Sequence, residues 1–217
     1  MIGSRYSAIV DGLNNHTYHI LGCGAIGSAA ATQIVRMGGD NIKLYDYDDV
    51  NTENIGVSMY GHKDLGRSKV SALKDMLEDI NPRASVVAFN GEFLEHDCTD
   101  SDIIVLGFDS MNAREYAVRR VLQKKKPYLL IDGRMGAEHY QQYTFVNPTI
   151  KQYMATWYTD DEGSEAPCNA KATSYCSNMS GSFICNSIKK VINGEPYQSK
   201  FSFNFPNMLL SSEGFNT

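Results

Sequence analysis

At 217 residues, with 42% hydrophobic and 21% charged residues, the chain can bury a sizeable core and has an ordinary globular composition. A net charge of −5 argues against a nucleic-acid surface, which needs clustered Lys and Arg, and no stretch approaches the ~18 apolar residues of a membrane span. The five cysteines form no C-x-x-C pair and the N-terminus lacks an apolar signal core, so the expected setting is cytoplasmic, with neither a disulfide framework nor a structural zinc.

Residues 17–21 read as a buried strand, followed by the glycine run Gly22-Cys23-Gly24-Ala25-Ile26-Gly27. A helix is expected over 26–37, with Ile26, Ala30, Ile34 and Met37 on one stripe, stopped by Gly38-Gly39. A second strand covers 41–46. Residues 47–66 are polar and rich in Asn and Gly, a length that usually carries function. An amphipathic helix follows at 67–80, with Val70, Leu73, Leu77 and Ile80 in register, and Asn81-Pro82 ends it. Strands are expected at 84–89, 103–107 and 128–131, with a helix at 111–125 whose basic end, Lys124 to Lys126, suits the helix dipole. This alternation predicts a doubly wound, mostly parallel Rossmann-like α/β sheet.

After Gly133 the texture changes. Antiparallel strands are expected at 139–146 and 151–158, then an acidic loop beginning at Asp160. A helix at 175–193 is ended by Gly194, and a last strand lies within 200–210. The whole of 1–217 thus reads as one domain. Residues 1–132 form its nucleotide-binding half, and 133–217 an antiparallel extension, crossover loop and closing helix.

The glycine run lies between a strand and a helix, where its chemistry is specific. Gly22 permits a sharp turn, Gly24 lets backbone approach phosphate oxygens, and Gly27 lets helix and strand pack closely. The N–H groups at Ala25 and Ile26 open the helix, whose dipole favours anions. Asp46, at the end of the next strand, can accept both ribose hydroxyls. Turn and acid together point to an adenine nucleotide.

Three further features narrow the chemistry: Asp46-Tyr47-Asp48-Asp49-Val50 with Glu53-Asn54; Gly66-Arg67-Ser68-Lys69 before a helix ending Ile80-Asn81-Pro82; and Gly107-Phe108-Asp109-Ser110 at a strand end. In these motifs the sequence resembles the ThiF/MoeB family, bacterial relatives of the ubiquitin-activating enzymes, over roughly residues 17–150. The compact length and the Asp132-Gly133-Arg134-Met135-Gly136 stretch are similar to short ThiF-like proteins of phages and mobile elements.

The resemblance implies an ATP- and Mg²⁺-dependent adenylyltransferase that joins a carboxylate to the α-phosphate with release of pyrophosphate. It places Gly22, Gly24, Ala25, Ile26, Gly27, Asp46, Asp48, Asn54, Lys69 and Asp109 around the nucleotide. Lys69 would neutralise phosphates, Asp109 would hold Mg²⁺, and Asn54 would steady the triphosphate. Plain alternatives are an exposed helix lysine at 69, an N-cap at Asp109 and turn or capping roles for Asp48 and Asp49. Where the family carries an arginine after the Asn, this chain has Val57; Arg67, Arg114, Arg134, or Arg5 reaching across a homodimer, are the possible substitutes.

The resemblance also implies a partner that ends in glycine, either a ubiquitin-like protein or a peptide. Some relatives act instead on a carboxylate of modified tRNA, which the negative charge disfavours. Cys168, in the polar loop, is the candidate for a thioester step; Cys23, Cys98, Cys176 and Cys185 read as packing residues. Two rival readings stay open: a scaffold or heterodimer subunit without chemistry, and an NAD-dependent oxidoreductase, which shares the glycine turn and Asp46.

Overall fold

The computed structural model describes residues 4–91, 93, 98–160 and 172–216. Its centre is an eight-stranded sheet. β1 (Thr17–Leu21), β2 (Asn41–Asp46), β3 (Ser85–Asn90), β4 (Ile103–Leu106) and β5 (Leu129–Gly136) pair in parallel, in the spatial order β3-β2-β1-β4-β5. β6 (His139–Val146), β7 (Tyr197–Asn204) and β8 (Leu209–Asn216) extend the β5 side antiparallel. This is the expected doubly wound sheet with an antiparallel C-terminal extension.

Alternation along the central strands feeds two separate cores, as a period of two demands. Tyr18, Ile20, Ile103, Val105, Leu129 and Ile131 face a layer containing α1 (Ala25–Arg36), α3 (Lys69–Ile80) and α6 (Ser174–Ile192). Leu21, Ile104, Leu106 and Leu130 face α4 (Met111–Lys124) and Tyr153 of α5 (Ile150–Met154). The expected stripes are buried: Ile26, Ala30 and Ile34 on α1, and Val70, Leu73 and Leu77 on α3. Gly181 of α6 has no side chain because an added Cβ would lie 2.6 Å from the Ala29 carbonyl carbon. Helices α1 and α6 therefore cross at backbone contact.

Three expectations need correction. Residues 151–158 do not form a strand: Thr149 and Gln152 make reciprocal bonds (Gln152 N to Thr149 Oγ1, 3.2 Å; Thr149 N to Gln152 Oε1, 3.0 Å) that start α5. The tail is not one strand but the hairpin β7–β8, which turns at residues 205–208 with Met208 at φ 50°. β5 runs on past Ile131 to Gly136, carrying Asp132 and Arg134 inside the sheet. The 47–66 loop holds a helical turn, α2 (Thr52–Ile55). Among the described residues no helix is long and apolar enough to cross a membrane.

Candidate active site

The carboxyl ends of β1, β2 and β4 meet at the glycine turn. Gly22 has φ 87°, and a Cβ there would lie 2.9 Å from the Gly107 carbonyl carbon; at Gly27 it would lie 1.8 Å from Gly22 O. Those two glycines are required by packing. Gly24 differs, since a Cβ there would meet nothing within 4 Å. It faces open space at the N-terminus of α1, where a polyanion gains most from the free N–H groups.

Asp46 Oδ2 accepts the Cys23 N–H at 2.7 Å and Oδ1 accepts the Asp48 N–H at 2.9 Å, so the acid also fixes the turn it serves. The 47–50 segment is stitched to the start of α3: Lys69 N–H donates to Asp48 O (2.9 Å) and Val50 N–H to Arg67 O (2.8 Å). Lys69 is therefore not an exposed helix lysine. Its side chain is only 9% exposed, and its Nζ donates to Asp48 Oδ2 at 2.7 Å. Burial alone would lower its pKa. The Asp48 bond and the charges of Asp46, Asp48 and Asp109 outweigh that and hold it above the ordinary value. Asp46, Asp48, Lys69 and Asp109 are thus one electrostatic cluster.

Asp109 is exposed just past the end of β4, where open sheets bind ligands. It is not the cap of α4. Ser110 holds that place and accepts the Ala113 N–H (3.4 Å), while Asp160 accepts the Met111 N–H (2.8 Å). Asn54 forms a capping box with Asn51 at α2, which occupies its carbonyl oxygen (Asn51 N to Asn54 Oδ1, 3.0 Å). Asp49 bridges to Ser68, in line with a turn role.

The arginine candidates resolve differently. Arg114 is buried and donates to Asp132 and to Phe108 O; Arg134 is buried, bonded to Asp132 (Nε to Oδ2, 2.8 Å) and stacked over Tyr143 at 4.4 Å. Arg67 pairs with Asp64 and Asp75 on α3's outer side, beside a cavity of about 300 Å³ that contains none of the glycine-turn residues. Each of these three is already paired with an acid. Arg5 is exposed.

Cys168 lies outside the described residues. The described thiols are buried and unreactive in kind. Burial pushes Cys98 and Cys185 up to about 12 and Cys176 to about 11, and raises Cys23 well above its ordinary value with help from Asp46. His19, Cys98 and Asp102 gather near the opposite end of the sheet, but Asp102 is already bonded by His19 Nε2 (2.7 Å) and by Thr99 (2.8 Å). That cluster joins β1 to the start of β4.

Sequence reasoning did not find Tyr60. Its buried hydroxyl donates to Cys23 O (2.6 Å) and approaches Lys69 O (3.2 Å), bracing turn and helix together. Only its place in a long polar loop could have drawn notice. Asp160 was seen only as part of an acidic loop.

The pattern that defines the ThiF family matches residues 7–216. The chain is 36% identical over 84 residues to the tRNA threonylcarbamoyladenosine dehydratase of Bacillus subtilis (strain 168), which is 38% of this chain and 33% of that protein. It is 32% identical over 78 residues to ubiquitin-like modifier-activating enzyme 5 of Caenorhabditis briggsae, which is 36% of this chain and 18% of that protein. The matched stretches span a third or less of those relatives. Among solved structures, PaaA superposes with a TM-score of 0.76 at 21% identity, covering 94% of this chain and 66% of that one. E. coli MccB with ATP superposes with a TM-score of 0.72 at 18% identity, covering 98% and 68%. These two likenesses are of fold. With the family pattern running nearly end to end, the chain belongs to the ThiF family.

Proposed function

We propose that the protein is an ATP-dependent adenylyltransferase that activates a carboxylate. The observation that carries this reading is the buried, cationic Lys69, held beside the glycine turn within a cluster that includes exposed Asp109. An oxidoreductase would use the turn and Asp46 but has no task for Lys69 and Asp109.

The open space at Gly24 fits phosphates lying on the N-terminus of α1, with Asp46 toward the ribose. Lys69 would leave Asp48 for the phosphate oxygens, supplying fixed positive charge where negative charge grows. Asn54, at the α2 cap, would lie along the triphosphate. The acceptor carboxylate forms a bond to the α-phosphorus as the bond to pyrophosphate breaks, giving an acyl-adenylate. Asp109 has the right chemistry to hold a Mg²⁺ ion, which would supply charge neutralisation for the phosphates.

The acceptor in this reading is the C-terminal glycine of a peptide or ubiquitin-like protein, and the working unit is a homodimer in which exposed Arg5 stands in for the arginine absent at Val57. The match to a tRNA-modifying dehydratase favours a second acceptor, a carboxylate on modified tRNA. Pyrophosphate exchange measured with a glycine-ended peptide and with tRNA separates the two.

The test is thermal stability with MgATP beside NAD. A ligand at 100 times its Kd stabilises by roughly 2.7 kcal/mol. The expected result is a shift with MgATP that disappears in Asp109→Asn. A shift with NAD alone would replace this reading by the oxidoreductase, and no shift with either would favour the scaffold.

A further inference from the structure

Asp109 lies between two clamped residues. On one side, the buried Arg114 guanidinium donates to Phe108 O and to Asp132. On the other, Asp160 accepts the Met111 N–H at 2.8 Å and the Ser110 hydroxyl at 3.4 Å, while the Trp157 indole N–H donates to Met111 O at 3.1 Å. The two clamps are joined. Asp132 is also bonded by Arg134, which donates to Thr156 O (2.7 Å) and Thr156 Oγ1 (3.2 Å). Hydrogen bonds therefore run from Phe108 through Arg114, Asp132 and Arg134 to Thr156. From there the chain leads through Trp157 to Asp160 and back to the residues beside Asp109.

We infer that Asp160 is a positioning residue for Asp109, holding the two residues that follow Asp109 in the chain. This rests on the nucleotide site proposed above. A helix cap is replaceable only by a side chain that accepts from the same N–H, so the effect should follow the accepting oxygen and not the charge.

Nucleotide binding measured by calorimetry, with and without Mg²⁺, tests it. Asp160→Ala should raise the Mg²⁺ concentration for half-maximal tight ATP binding by about tenfold, since a displaced ligand loses most of its pre-organisation, with metal-free ATP binding unchanged. Asp160→Asn, which still accepts from Met111, should restore the wild-type response. A wild-type Mg²⁺ response in Asp160→Ala would overturn the inference. So would an equal loss with and without Mg²⁺, or an Asp160→Asn protein as impaired as the alanine variant. A wild-type protein that binds no MgATP would instead overturn the proposed function, and this inference with it.

Discussion

At the scale of single residues, the site is assembled from side chains that already have partners. Lys69 is bonded to Asp48 and Asp46 to the turn, so the proposed nucleotide would enter by exchanging internal contacts for its own. Lys69→Met keeps the aliphatic stem packed but removes the charge. A charge-assisted contact is worth about 1.5–3 kcal/mol, so MgATP affinity should fall roughly ten- to hundredfold. The melting temperature should change little, because Asp48 is half exposed and such pairs contribute at most about 1 kcal/mol. Affinity that survives Lys69→Met would remove this residue from the site. The places of Lys69 and Asp109 in the fold were legible because each sits at the boundary of an element that the sequence predicts, Lys69 opening α3 and Asp109 following β4. The three arginines were not. Arg67, Arg114 and Arg134 read as phosphate ligands until the acids facing them are known: Asp64 and Asp75 for Arg67, and Asp132 for the other two, which becomes a neighbour of Arg114 only in the folded sheet.

At the scale of elements, the glycine turn separates function from packing. Gly27→Ala forces a Cβ onto Gly22 O and should destabilise the fold by about 1–3 kcal/mol or more. Gly24→Ala meets open space, so it should cost far less stability than Gly27→Ala while losing nucleotide binding. Paired melts and binding measurements check this; a Gly24→Ala protein with full affinity would mean that phosphates do not lie there. β1, α1, β2, α3 and α4 were readable because their periodicity and their stop signals agree. The failures came where composition and local bonding conflict: Tyr and Thr in 151–158 favour a strand, yet the Thr149–Gln152 box starts a helix. Asp160 accepts the Met111 N–H at the start of α4 across a separation of 49 residues, which leaves no local trace.

At the scale of the whole molecule, acid stability should depend on the link between β1 and the start of β4. Burial alone would raise the Asp102 pKa, but bonds from His19 and Thr99 outweigh it and hold it below the ordinary carboxylate value. With the folded pKa depressed, the stabilisation is complete above the unfolded value and lost as pH falls through the folded one. Wild-type protein should lose stability between about pH 5 and pH 2, whereas Asp102→Asn should start less stable and decline less steeply. Parallel urea-unfolding curves for the two proteins across that range would dismiss the carboxylate as their cause.

Asp132 has a further consequence, for descent. It lies fully buried with an arginine on either side, and removing one member of such a set costs about 3–5 kcal/mol because a charge is stranded. A lineage carrying this triad cannot drift through its three positions one at a time, while exposed positions without such partners, Tyr47 among them, are open to single steps.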